Sequence, residues 1–199
     1  MIRRAALAAA FLVLISATGV LAAAKTISIS ATSYSPASVT VAMGGKVKWT
    51  NKTGKSHTVV SDASFLATLF FKNVTVKAHT TSAAMVFPDA GTFLFHDSNA
   101  NLHGSVAVPM TVDQSYISLG NTVTLTLGTA PTTTGGQPDA HYVQASRDGG
   151  AWTIIAQTGN NTTGWTPNAT GTWSVRTYVS HMLSNATSGY SPILTVTVS

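Results

Sequence analysis

From Lys25 onward, apolar and polar residues alternate with a period of two in short runs, the spacing of strands that bury one face. Ile27 with Ile29, Val39 with Val41, and Val47 with Trp49 mark three such runs, and Gly44-Gly45 is expected to turn a hairpin between the last two. His57-Thr58-Val59-Val60 opens another. Val74 with Val76 and Met85 with Phe87 follow around His79-Thr80-Thr81, and Pro88-Asp89-Ala90-Gly91 signals a turn ahead of Phe93 and Phe95. Val106 and Val108 close the series before Pro109. Phe65 to Phe71 is apolar without a clear period and reads as a strand or a short helical excursion.

A second series starts near Met110. Val112, Val123 to Leu127, and Tyr142 to Ser146 alternate in the same way, and Arg147-Asp148-Gly149-Gly150 is a hairpin signal before Trp152 to Ala156. Trp165, Trp173 to Tyr178 and Leu194 to Val198 bring this part to about seven strands, the number and spacing of a two-sheet sandwich. The pattern predicts an all-β fold. Residues 25–109 and 110–199 form the two units, with Trp49, Phe93 and Phe95 in the first core and Trp152 and Trp173 in the second.

Residues 1–24 carry a different pattern. Arg3 and Arg4 precede an almost continuous apolar run from Ala5 to Leu21, and Ala22-Ala23-Ala24 offers a small-residue cleavage site. This is an export signal, placing the mature protein outside the cytoplasm, in a periplasm, at a cell surface or secreted. The competing reading is an uncleaved anchor, since the run approaches the length that spans a bilayer. Once the signal is cleaved, no stable membrane span is expected.

Composition narrows the chemistry. The chain has no cysteine, so neither disulfides nor any thiolate chemistry is available. It also has no glutamate, no G-x-S-x-G elbow and no two aspartates placed as an acid–base pair, and an enzyme is not expected. From Lys25 to Pro109 seven lysines face three aspartates, a net +4. Lys46 and Lys48 share one strand face, which reads as a solvated face or as a docking patch for an acidic extracellular or cell-surface partner. Nucleic acid is not an expected partner, because no recognition motif accompanies this modest charge.

Several motifs in residues 25–109 together resemble the cupredoxins, the plastocyanin- and azurin-like domains. Tyr34-Ser35-Pro36 matches an F-x-P, Gly45 to Asn51 matches G-x-x-V-x-W-x-N with one residue fewer between Gly and Trp, and His57-Thr58-Val59 matches the family's early His-Thr-Val. Phe87 to Asp97 matches F-x-x-x-G-T-Y-x-Y-x-C, and Leu102-His103-Gly104-Ser105-Val106 matches M-x-G-x-V. Residues 110–199 resemble fibronectin type III or immunoglobulin-like modules through Asp148 to Trp152 and Ser188 to Pro192. The resemblance implies a cupredoxin-like Greek-key β-sandwich followed by an immunoglobulin- or fibronectin-like β-sandwich.

In the copper-binding members of that family, the metal sits between an early His and a Cys, a His and usually a Met of the last loop. Here the early His is His57, the Cys position is Asp97, the Met position is Leu102, and Asn99 or Ala100 falls near the second His. A type 1 copper site cannot form. Two readings of the pocket remain. His57, Asp97 and His103 would be ligands of a non-blue copper or zinc ion if the loop bends His103 back. Otherwise His57 and Asp97 form a hydrogen-bonded pair with no cofactor, since alternation turns His96 and His103 to the opposite face. His79, His141 and His181 read as surface residues. The expected function is that of a secreted or cell-surface binding or structural protein without a type 1 site. The alternative is a copper-binding, metal-handling or electron-transfer-related extracytoplasmic protein.

Overall fold

The computed structural model describes residues 23–62, 70–129, 133–134, 137–181 and 184–199. The apolar leader and most of the Phe65–Phe71 stretch lie outside the described residues, so the reading of each as a signal and as a strand or helix is not addressed by the fold. Every regular element described is a strand. The first nine are β1 (Lys25–Ile29), β2 (Tyr34–Ser35), β3 (Ser38–Thr40), β4 (Gly45–Asn51), β5 (His57–Ser61), β6 (Val74–Val76), β7 (Met85–Phe87), β8 (Gly91–Asp97) and β9 (Ala100–Val108). Next come β10 (Thr111–Val112), β11 (Tyr116–Ile117), β12 (Val123–Thr126), β13 (Thr133–Thr134) and β14 (Gln137–Arg147). The chain ends with β15 (Thr153–Thr158), β16 (Thr162–Trp165), β17 (Gly171–His181) and β18 (Leu194–Val198).

Four sheets stack as two sandwiches. A sheet ordered β2-β1-β4-β7 faces one ordered β3-β9-β8-β5-β6 across a core that contains Ile27, Val47, Trp49, Phe93, Phe95 and Val106. A sheet ordered β10-β12-β16 faces a larger one built on β11-β18-β17-β14, with β13 and β15 each pairing with β14, across a second core. That core holds Val123, Leu125, Val143, Val175 and Val196, with Trp165 edge-on to Trp173 at 5.3 Å. The alternation drives this arrangement: β4 buries Val47, Trp49 and Asn51, and β8 buries Gly91, Phe93, Phe95 and Asp97.

Two expectations need correction. Gly44-Gly45 does not join paired strands. β3 runs parallel to β9 in one layer and β4 runs parallel to β1 in the other, so the glycine turn carries the chain between layers. Gly44 sits at φ 73°, which favours glycine. Trp152 is not a core residue. It stands half-buried on the outer side of the β14–β15 hairpin, with the Arg176 guanidinium 3.9 Å above its ring. An edge strand beside a Gly-Gly turn leaves that indole outside the sandwich, and a cation covers it instead.

The two cores meet along a hydrogen-bonded seam. Ala90 N–H donates to Leu127 O at 2.8 Å, and Thr92 and Gly189 exchange backbone bonds of 2.9 and 2.8 Å. Ala90 packs with the second core, and Met43 touches both.

Candidate functional site

His57 begins β5 and Asp97 ends β8, strands that pair antiparallel with Val59 opposite Asp97. Both side chains therefore point into the same end of the first sandwich, where His57 is 6% and Asp97 3% exposed. His57 Nδ1 donates to Asp97 Oδ2. Asp97 Oδ1 accepts from Asn99 N–H at 2.9 Å, in the turn between β8 and β9, and lies 3.4 Å from Thr58 N–H. A carboxylate only accepts, so an imidazole proton sits on Nδ1, and Nε2 lies in hydrogen-bond contact with the Thr53 hydroxyl at 2.8 Å.

Thr53 and Asn51 complete the site. Asn51, 1% exposed, sends its amide N–H groups to the carbonyls of Lys55, Val76 and Lys77 at 2.7, 3.1 and 3.0 Å. Its Oδ1 accepts from Thr53 N–H at 2.8 Å, which fixes the 51–55 loop under His57. Such an Asx turn holds a loop without any periodic signal, and only the Asn-x-Thr spacing before His57 hints at it. Every polar atom of His57 and Asp97 thus has a protein partner.

The third expected ligand is elsewhere. His103 is exposed on β9, with its Nε2 3.1 Å from Asn101 Oδ1. It lies opposite His96, whose Nδ1 donates to Asp62, and the two rings are 6.1 Å apart on the outer face. Between them in alternation, Leu102 is buried in the core. Among the described residues, no three His, Asp, Cys or Glu side chains are grouped to hold a metal ion. The residues present do not fit a type 1 copper ion: the chain has no cysteine to supply a thiolate, both Asp97 oxygens accept hydrogen bonds, and Leu102 offers no donor atom.

Tyr34 borders this end of the core, edge-on to Phe95 at 5.0 Å. Burial pushes its phenol well above the ordinary value of 10.0, and the Asp97 and Asp62 carboxylates add to the rise. Two histidines read as surface residues are buried instead: His141 at 0% and His181 at 4% exposed. Each is in phase with inward neighbours, His141 with Val143 and Ala145, and His181 with Val175 and Val179. That phase was the available signal.

No known protein family's sequence profile matches the chain. No curated protein matches it in sequence. Solved structures similar to part of it include a proline-to-phenylalanine variant of amicyanin in the reduced state, 26% identical over 43% of this chain and 81% of that one, with a TM-score of 0.38. Amicyanin from Paracoccus versutus (Thiobacillus versutus) is similar at 22% identity, covering 45% of this chain and 85% of its own, also at a TM-score of 0.38.

Proposed function

We propose that this chain is an extracytoplasmic, redox-silent binding or structural protein. Its first sandwich is a cupredoxin-like unit in which a His57–Asp97 hydrogen bond takes the place of copper ligation. Residues 110–199 are a fibronectin- or immunoglobulin-like module behind it. The observation that carries this reading is that both Asp97 oxygens are engaged by protein donors: one accepts from His57 Nδ1–H and the other from the Asn99 N–H.

Other features support the same reading. The Arg-led apolar leader suits export. No helix among the described residues is long and apolar enough to cross a membrane. Exposed Lys25 and Lys46, with half-buried Lys48 on the same strand face as Lys46, suit an acidic surface partner. The Thr53–His57–Asp97 chain has the order of groups that activates hydrolase nucleophiles. Here, however, the Thr53 hydroxyl is also within 2.9 and 3.1 Å of Asn51 Oδ1 and Lys55 O, acceptors that hold it in the loop. We therefore assign it a structural role.

Copper titration tests the proposal. Cu(II) added to the full chain is expected to give no intense thiolate-to-copper absorption. Calorimetric isotherms of the parent protein, His57→Ala and His103→Ala are expected to coincide. One-to-one binding abolished by both substitutions would instead establish a metal-handling protein.

A further inference from the structure

The Pro88-Asp89-Ala90-Gly91 turn is not a surface turn. Asp89 forms an antiparallel bridge with Gly128, and Thr129 N–H donates to Pro88 O at 3.0 Å. Asn161, between β15 and β16, joins the same place by accepting the N–H groups of Leu127 and Gly128 at 2.7 and 3.2 Å. His141 enters from β14 on its inward phase. Four separated stretches of chain thus meet at the seam between the two cores.

Three side-chain atoms converge there. Asp89 Oδ1 lies 3.5 Å from His141 Nε2. A Cβ placed on Gly128 would stand 2.7 Å from Asp89 Oδ1, 3.2 Å from Asn161 Oδ1 and 3.6 Å from His141 Nε2, so all three atoms crowd one point beside Gly128 that no larger residue could share. His141 is fully buried, and neither ring nitrogen has a hydrogen-bond partner. Asn161 Oδ1 is also buried without one. Buried polar atoms left this way are costly, and His141 Nε2 and Asn161 Oδ1 both lie beside the Asp89 carboxylate, where a cation would bind them.

We propose that Asp89, His141 and Asn161 are the ligands of one divalent metal ion of the zinc class. A separation of 3.5 Å is long for a hydrogen bond, and it matches the edge of about 3.4 Å expected for a tetrahedron with metal bonds of about 2.1 Å. One imidazole nitrogen with carboxylate and amide oxygens is a borderline donor set, suited to zinc rather than to calcium or magnesium. The three protein ligands leave a fourth position for water. The ion ties Asp89, adjoining the first core, to His141 and Asn161 beside the second. It does so in a chain that has no disulfide to serve that purpose.

Zinc titration of the full, chelator-stripped chain tests this, together with diffraction at the zinc absorption edge. The expected result is one zinc per chain, an anomalous peak in contact with His141 and Asp89, and a raised unfolding temperature on zinc addition. His141→Ala abolishes binding. Because removing a fully buried ring would itself disturb folding, Asn161→Asp supplies a second variant, whose added carboxylate tightens binding about tenfold. His57→Ala and His103→Ala leave the zinc isotherm unchanged, which separates this site from the pocket at Asp97. Three results would overturn the proposal. They are a folded parent chain that takes up no zinc, a water with no anomalous signal at the seam, or zinc binding insensitive to both the His141 and Asn161 variants.

Discussion

His57 and Asp97, 40 residues apart in the chain, share a buried hydrogen bond that closes one end of the first sandwich. The bond joins the first residue of β5 to the last of β8, and the Asn51–Thr53 loop holds the far side of the imidazole. A metal pocket would present open lone pairs at this point. This one presents a filled polar network, and its contribution is to stability and shape.

Removing the acceptor should therefore cost more than neutralising it. Asp97→Ala leaves the buried Nδ1–H of His57 and the N–H of Asn99 without partners, a loss of about 1–3 kcal/mol for each group that stays unsatisfied. Asp97→Asn keeps an oxygen for one of them, and its loss is expected to be about 1 kcal/mol. Urea denaturation of the two variants checks the order. Equal stability of the alanine variant and the parent would show that the pair holds nothing.

Tyr34 sets an alkaline limit. Its hydroxyl is buried without a hydrogen-bond partner, and its folded-state pKa lies above the unfolded one because burial, then Asp97 and Asp62, oppose the phenolate. The folded chain thus keeps a proton that the unfolded chain releases. The associated stability is complete below the ordinary value of 10.0 and falls as pH rises from there toward the folded-state value. Tyr34→Phe should flatten that limb while changing neutral-pH stability by no more than about 1 kcal/mol. Denaturation midpoints from about pH 8 to about pH 11 test this. Tyr178, whose pKa is also raised by burial, remains in the variant as an internal reference.

Much of this fold was legible because period-two alternation states which side of a strand is buried. It places Trp49, Phe93 and Phe95 inward, and it turns Asp97 to the core and His103 to solvent. Alternation does not say which layer a strand joins. The Gly44-Gly45 turn therefore looked like a hairpin, although β3 and β4 belong to different sheets. Residue type misled in both directions. Trp152 looked like core yet lies under Arg176, and His141 looked like surface although its phase with Val143 and Ala145 put it at 0% exposure. Thr53 was silent because a loop held by side-chain-to-backbone bonds has no period.

Arg176 bridges the outer face of the second sandwich. Its guanidinium carbon lies 3.9 Å over the Trp152 ring and 3.6 Å over that of Tyr190, and its Nε and Nη2 both donate to Gln144 Oε1, at 3.0 and 2.9 Å. Arg176→Ala is expected to cost about 1–2 kcal/mol through lost cation–π contact. Arg176→Lys should recover less than half, because an ammonium cannot stack as a plane or repeat the two-pronged bond to Gln144. Denaturation followed by tryptophan fluorescence measures both, and a lysine variant as stable as the parent would remove the stacking argument.

Gly104 is the most crowded glycine among the described residues. It pairs across β8–β9 with Phe95, and a Cβ there would stand 2.4 Å from Phe95 Cζ, 2.6 Å from Cε2 and 2.8 Å from Ala37 O. The ring has little room to retreat, since Phe95 is fully buried with Tyr34 at 5.0 Å and Trp49 at 5.6 Å. Gly104→Ala should therefore destabilise by about 1–3 kcal/mol or more, through overpacking rather than backbone strain. A double-mutant cycle separates those causes. In a Phe95→Leu background the clashing ring atoms are gone, and Gly104→Ala should lose at least about 1 kcal/mol of its cost there. An undiminished cost would place the constraint in the backbone contact with Ala37 O instead.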